Sequence, residues 1–137
     1  MKTLWIALLI GLPAVGFAAP EHPLLQRYAE QARQEDPAFA GFSAEAGKTL
    51  YFQEEQRNGK TMSWTSFHTA DPMTTGKTLA FRKVQPLAPA ANPERFTDAK
   101  KVEKWFRRNC DDVFARECTA QEKGDFMTWI LTVGAQP

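Results

Sequence analysis

The chain of 137 residues carries 17 Lys and Arg against 16 Asp and Glu, a net charge of +1. That balance excludes the clustered basic surface on which nucleic-acid binding depends, and the length, with no repeat or shift in composition, is that of one domain. The local exception, Lys100, Lys101, Lys104, Arg107 and Arg108, reads as the solvated face of a helix.

Lys2 opens an apolar stretch from Leu4 to Phe17, broken only by small residues and Pro13, which ends in Gly16-Phe17-Ala18 followed by Ala19-Pro20. This is the pattern of a signal peptide over residues 1–18, cut after Ala18 or Ala19. The run is shorter than the ~20 residues that span a hydrocarbon core. A single domain over 19–137, with no membrane span after cleavage, is expected. Export places Cys110 and Cys118, the chain's two cysteines, where a thiol pair in a small domain closes into a disulfide, and they lack the C-x-x-C spacing of a metal or redox pair.

Leu24, Leu25, Tyr28, Ala29 and Ala32 recur at helical spacing and predict a first helix ending near Asp36-Pro37. The spacing of Ala46, Leu50 and Tyr51 or Phe52 predicts a second, capped by Ser43, reaching Gln56 and stopped by Asn58-Gly59. From Thr69 to Thr97 four prolines, Pro72, Pro86, Pro89 and Pro93, leave a stiff, ordered loop, a length that suggests the chain wraps something. Thr97 or Asp98 caps a third helix with the stripe Val102, Trp105, Phe106, Asn109. The capping box Thr119-Ala-Gln-Glu122 opens a last one, with Phe126, Trp129, Ile130 and Val133 as its buried face. No segment alternates as a strand does, so the expected class is all-α.

One stretch carries chemistry. Trp64-Thr-Ser-Phe-His68 is a pentad that would read C-x-x-C-H, the c-type haem attachment signature, if Trp64 and Phe67 were cysteines. His68 is one of two histidines, and the other, His22, reads as a disordered surface residue near the cleavage point. Zinc needs three or four ligands, and only Asp71 stands near His68 in sequence. Ser63 and Ser66 lack a nucleophile elbow and read as backbone caps. Trp64 and Phe67 either belong to the core or line an apolar cavity, and Asn109 either caps its helix or faces the same interior.

Taken together, "GKTLYFQEE", the pentad with "TADP" after it, "PLAPAANPERFTD" and "VEKWFRRNCDDVFARECTAQEKGDF" resemble the sphaeroides haem protein family of small periplasmic c-type cytochromes, from about Ala46 to Leu131. The resemblance implies a class I cytochrome c-like fold around one haem, with His68 as proximal iron ligand, Asn109 as distal ligand and a Cys110–Cys118 disulfide. It implies a periplasmic protein that is not an enzyme, exchanges electrons with another periplasmic cytochrome, and binds oxygen or nitric oxide where the weak amide ligand lets go. The departure is as specific: with Trp64 and Phe67 in place of both attachment cysteines, no thioether can form. Two outcomes stay open, a haem held non-covalently beside Trp64 and Phe67, and a haem-free structural or interaction module on the same scaffold, docking an acidic partner through Lys100, Lys104 and Arg108.

Overall fold

The computed structural model describes residues 22–135; the segment 1–18 expected to be a signal peptide lies outside them. The elements run α1 (Pro23–Glu35), α2 (Ala44–Phe52), β1 (Glu55–Arg57), β2 (Lys60–Met62), α3 (Thr65–His68), β3 (Gly76–Lys77), β4 (Lys83–Val84), α4 (Ala99–Phe114) and α5 (Ala120–Ile130).

α1 starts at Pro23, whose fixed φ and missing N–H suit a first helical position. It buries Leu24, Leu25, Tyr28, Ala29 and Ala32, the five residues of the predicted stripe. His22 is not a loose surface residue: it is half-buried and caps the helix, its Nδ1 accepting from the Leu24 amide at 3.2 Å.

α2 begins as expected, with Ser43 Oγ accepting from the Ala46 amide at 3.1 Å, but it ends at Phe52, short of Gln56. Asn58-Gly59, at φ 52° and 75°, instead turns an antiparallel hairpin that pairs Glu55 with Met62 and Arg57 with Lys60, because two successive positive φ values suit the tight hairpin turn. A second hairpin sits inside the proline-rich loop, pairing Gly76 with Val84 and Lys77 with Lys83. Both correct the strand-free expectation. β1 and β2 have no buried residue, so no apolar alternation marks them in the sequence.

α1 and α2 both pack on α5. Ala46 is exposed and Gly47 takes the buried position. A Cβ at Gly47 would lie 2.0 Å from the Asp125 carbonyl oxygen, so the two backbones meet directly there. The Ser43 amide also donates to Asp125 Oδ1 at 2.7 Å. In α4, Asp98 caps by accepting from the Lys100 and Lys101 amides at 3.0 and 3.1 Å, and the helix runs past Asn109 to a left-handed cap at Ala115. The capping box of α5 forms as predicted. Cys110–Cys118 is bridged, joining α4 to the start of α5.

The core is aromatic. Tyr28, Tyr51, Trp64, Phe106 and Phe126 are fully buried, and Phe126 lies 4.7 Å from Trp64, 5.4 Å from Trp105 and 5.7 Å from Phe106 between ring centroids. Each such pair adds about 0.5–1.5 kcal/mol beyond its burial. At the edge, Glu103 accepts from Tyr28 Oη at 2.6 Å and pairs with Lys123 at 2.9 Å, tying α1, α4 and α5. Burial alone would raise the Glu103 carboxyl, but these two partners outweigh it and hold it below its ordinary value. No helix among the described residues is long and apolar enough to cross a membrane.

Candidate functional site

The pentad forms a single turn, α3. The Ser63 amide donates to Ser66 Oγ at 3.1 Å, which is the capping role read for those serines. Thr69, at φ 65°, stops the turn, and its carbonyl accepts from Tyr51 Oη at 2.6 Å. On the other side β3 presses against the turn: a Cβ at Gly76 would lie 2.0 Å from the Phe67 carbonyl oxygen. A one-turn helix is too short to hold itself, so its position is set by the core below it and the hairpin beside it.

The turn sends its three large side chains to different places. Trp64 goes into the core, against Phe126, Trp105, Phe106, Phe114 and Tyr51. Phe67 lines an open cleft of about 650 Å³. His68, 4% exposed, lines the same cleft, and its Nε2 lies 3.3 Å from Asn109 Oδ1 on α4. Two residues 41 apart in sequence are thus in contact. Asn109 is in mid-helix and caps nothing at the C-terminus; its Nδ2 donates to the Trp105 carbonyl at 2.9 Å. That donation turns Oδ1 toward the imidazole, so His68 donates from Nε2. His68 Nδ1 is buried with no hydrogen-bond partner among the described residues.

Burial first, and then the charge of Arg95, lower the His68 pKa from 6.5 to about 4, against a smaller opposing effect of the Asn109 hydrogen bond. The imidazole is neutral at ordinary pH, the form in which histidine binds metals. Trp105 forms part of the cleft wall, its ring 5.6 Å from that of His68. Leu79 and Ala80, at the tip of the β3–β4 hairpin, also line the cleft. The rim is cationic: Arg82, Arg95, Lys101, Lys104 and Arg108 line the cleft against one carboxylate, Asp112.

No group of three or more His, Cys, Asp and Glu side chains among the described residues could hold a metal ion. A metal at this place has to bring most of its ligands with it, as iron in a macrocycle does. The donors suit that group: a neutral buried imidazole, an amide oxygen facing it, an aromatic wall and a volume inside the ~300–1,000 Å³ of cofactor sites. The fit requires movement. His68 Nε2 and Asn109 Oδ1 touch at 3.3 Å, so a planar macrocycle held by both would require the two side chains to part. Covalent attachment does not fit, because positions 64 and 67 carry no sulfur and both cysteines are in the disulfide.

Of the site residues expected from sequence, His68 and Asn109 come together and Phe67 joins them, while Trp64 stands behind the wall. Sequence reasoning did not single out Arg95 or the hairpin tip. Lys101, Lys104 and Arg108 were visible only as a charged helix face; their approach to His68 depends on how α4 crosses α3.

The family described as "Domain of unknown function (DUF1924)" matches residues 37–130. The chain is 45% identical over 101 residues to the cytochrome c-type protein SHP of Cereibacter sphaeroides, covering 72% of this chain and 78% of that protein. It is 33% identical over 111 residues to cytochrome c'' of Methylophilus methylotrophus, covering 80% and 77%. The crystal structure of oxidized cytochrome c'' matches with a TM-score of 0.73 at 32% identity, covering 80% of this chain and 91% of that one. Oxidized SHP, described as an oxygen binding cytochrome c, matches with a TM-score of 0.69 at 38% identity, covering 78% and 91%. The helical scaffold with its two small hairpins is therefore a cytochrome fold.

Proposed function

We propose, from the premise that this chain belongs to the SHP-type cytochrome family matched by DUF1924, that it is a cytochrome-type haem protein whose haem is held without thioethers between His68 and Asn109. The observation that supports this reading is the 3.3 Å approach of those two donors at the wall of a cofactor-sized cleft. When bound, the haem supplies an iron centre that exchanges one electron and takes a diatomic ligand such as oxygen or nitric oxide. His68 and Asn109 would be the residues that hold it, the imidazole as the stronger donor and the uncharged amide as the weaker, more readily exchanged one. Trp105 and Phe67 would supply its apolar wall. The reading includes export to the periplasm, another cytochrome there as electron donor, and no enzymatic turnover.

His68 has to move a proton to serve this role. Its Nε2 carries the proton facing Asn109, and a metal ligand needs that nitrogen free, so the proton goes to Nδ1. None of the described residues accepts from Nδ1, where metal-binding histidines almost always donate from the second nitrogen to a carboxylate, carbonyl or water. The expected result is a weaker hold than in a haem protein whose histidine is supported from behind.

The test is titration of the mature chain with hemin. A Soret band that His68→Ala abolishes is expected; no band with the parent chain sinks the reading. A second reading, a haem-free interaction module, draws on the closed His68–Asn109 contact and on Trp64 filling the core. A chain that purifies folded and colourless and rejects hemin would favour it.

A further inference from the structure

The cleft beside His68 holds a guanidinium that no described residue pairs with a carboxylate. Arg95 is partly buried and fixed by two backbone carbonyls, its Nε donating to Pro86 at 3.0 Å and its Nη2 to Gln85 at 2.9 Å. A guanidinium has five N–H donors, so three remain. None of the described residues offers Arg95 a carboxylate; the ion pairs among them join Lys101 to Asp98, Arg116 to Glu122 and Lys123 to Glu103. Removing a cation from water without pairing it is unfavourable, and a structure that fixes one beside a cofactor-sized space has prepared it for an anion. Arg95, Lys101 and Trp105 also line a neighbouring cavity of about 310 Å³, so the guanidinium stands where the two spaces meet.

We propose that Arg95 is a carboxylate clamp that binds the propionate edge of the haem and fixes its orientation in place of the missing thioethers. This rests on the reading of the cleft as a haem site. Two thioethers determine which way round a haem enters a pocket. A ring held by axial donors alone can turn over, because its apolar edges are nearly equivalent in shape and only the propionates distinguish one edge by charge. A planar fork of N–H donors matches a carboxylate in two parallel hydrogen bonds, and such charge-assisted pairs are roughly twice as strong as neutral ones. The other cations of the cleft, Arg82, Lys101, Lys104 and Arg108, are exposed, where water and salt screen them. Arg95 is the one held in place before the ligand arrives.

The shared chemistry is a carboxylate or similar oxyanion, and its source is either the haem or a small free anion. The experiment compares the affinity of the mature chain for hemin and for hemin dimethyl ester, whose propionates carry no charge, by Soret absorbance and by quenching of tryptophan fluorescence. The wild-type chain is expected to bind hemin about tenfold more tightly than the ester. Arg95→Gln should remove most of that preference by weakening hemin alone, Arg95→Lys should keep part of it, and Arg107→Gln, exposed and outside the cleft lining, should change it less than about twofold. His68→Ala should weaken both forms together. If Arg95→Gln does not fold, the ester comparison in the wild-type chain and Arg95→Lys still decide. An undiminished preference in Arg95→Gln, or equal binding of hemin and ester by the wild type, overturns the clamp while leaving the haem reading intact. Absence of binding by either form overturns both. Succinate or inorganic phosphate altering the fluorescence through Arg95, without any preference for hemin over the ester, assigns the guanidinium to a free anion and also overturns the clamp.

Discussion

His68 Nε2 and Asn109 Oδ1 meet at 3.3 Å across the junction of α3 and α4. The contact is fixed from both ends. Asn109 is turned by its bond to the Trp105 carbonyl, and α3 is gripped between the core, through Trp64, and the second hairpin, through Gly76. Small changes at either support reach the site.

The burial of His68 makes the stability of the ligand-free chain depend on pH. Its pKa falls from 6.5 to about 4 on folding, so between those values the unfolded chain binds more protons. Stability is therefore full above about pH 6.5 and is lost as pH falls toward 4. The difference corresponds to about 3 kcal/mol. Denaturant unfolding should show the wild type losing about that much more than His68→Gln between pH 7 and pH 4; parallel curves would refute the assignment.

Restoring the attachment thiols separates core packing from cofactor chemistry. Trp64 is fully buried, so Trp64→Cys should destabilise the ligand-free chain by about 3–5 kcal/mol, the range for large aromatic truncations. Phe67→Cys, at the cleft wall, should have a smaller effect. The double variant, produced with a cytochrome c maturation system, should carry haem that survives a denaturing gel. Urea midpoints equal to the parent for Trp64→Cys would contradict its place in the core.

At Gly47 the seam between α2 and α5 has no room for a methyl group. The intruding Cβ would meet the backbone of Asp125 and Phe126, which cannot rotate away as a side chain can. Gly47→Ala should lose about 2–3 kcal/mol, toward the upper end for overpacking, despite alanine's higher helix propensity. The exposed neighbour provides the contrast, since Ala46→Gly should lose no more than about 1 kcal/mol. A more stable Gly47→Ala chain would mean the two helices are not in backbone contact.

The disulfide closes across a separation of 8 residues. For so short a loop the chain-entropy estimate is about 2.5 kcal/mol. Comparing Cys110→Ala/Cys118→Ala with the oxidised parent by denaturant unfolding should return about that loss, and adding reductant should destabilise the parent and leave the double variant unchanged.

The sequence by itself determined the helices, because a helix writes its buried face into neighbouring positions: the stripe from Leu24 to Ala32, the aspartate before α4 and the capping box before α5 are local signals with local causes. It also placed Trp64 and Phe67, which carry no sulfur, four and one positions before His68. The hairpins escaped it because strands exposed to water leave no apolar alternation, and Gly47 escaped because a missing Cβ carries no hydrophobic signal until a second backbone lies against it. Only the tertiary structure decided that His68 touches Asn109, that Trp64 turns to the core while Phe67 turns to the cleft, and that Arg95 stands beside the site. Residues far apart in the chain are brought together by the packing of α3, α4 and the proline-rich loop, and charge and burial at such a junction belong to the packing, not to any one segment.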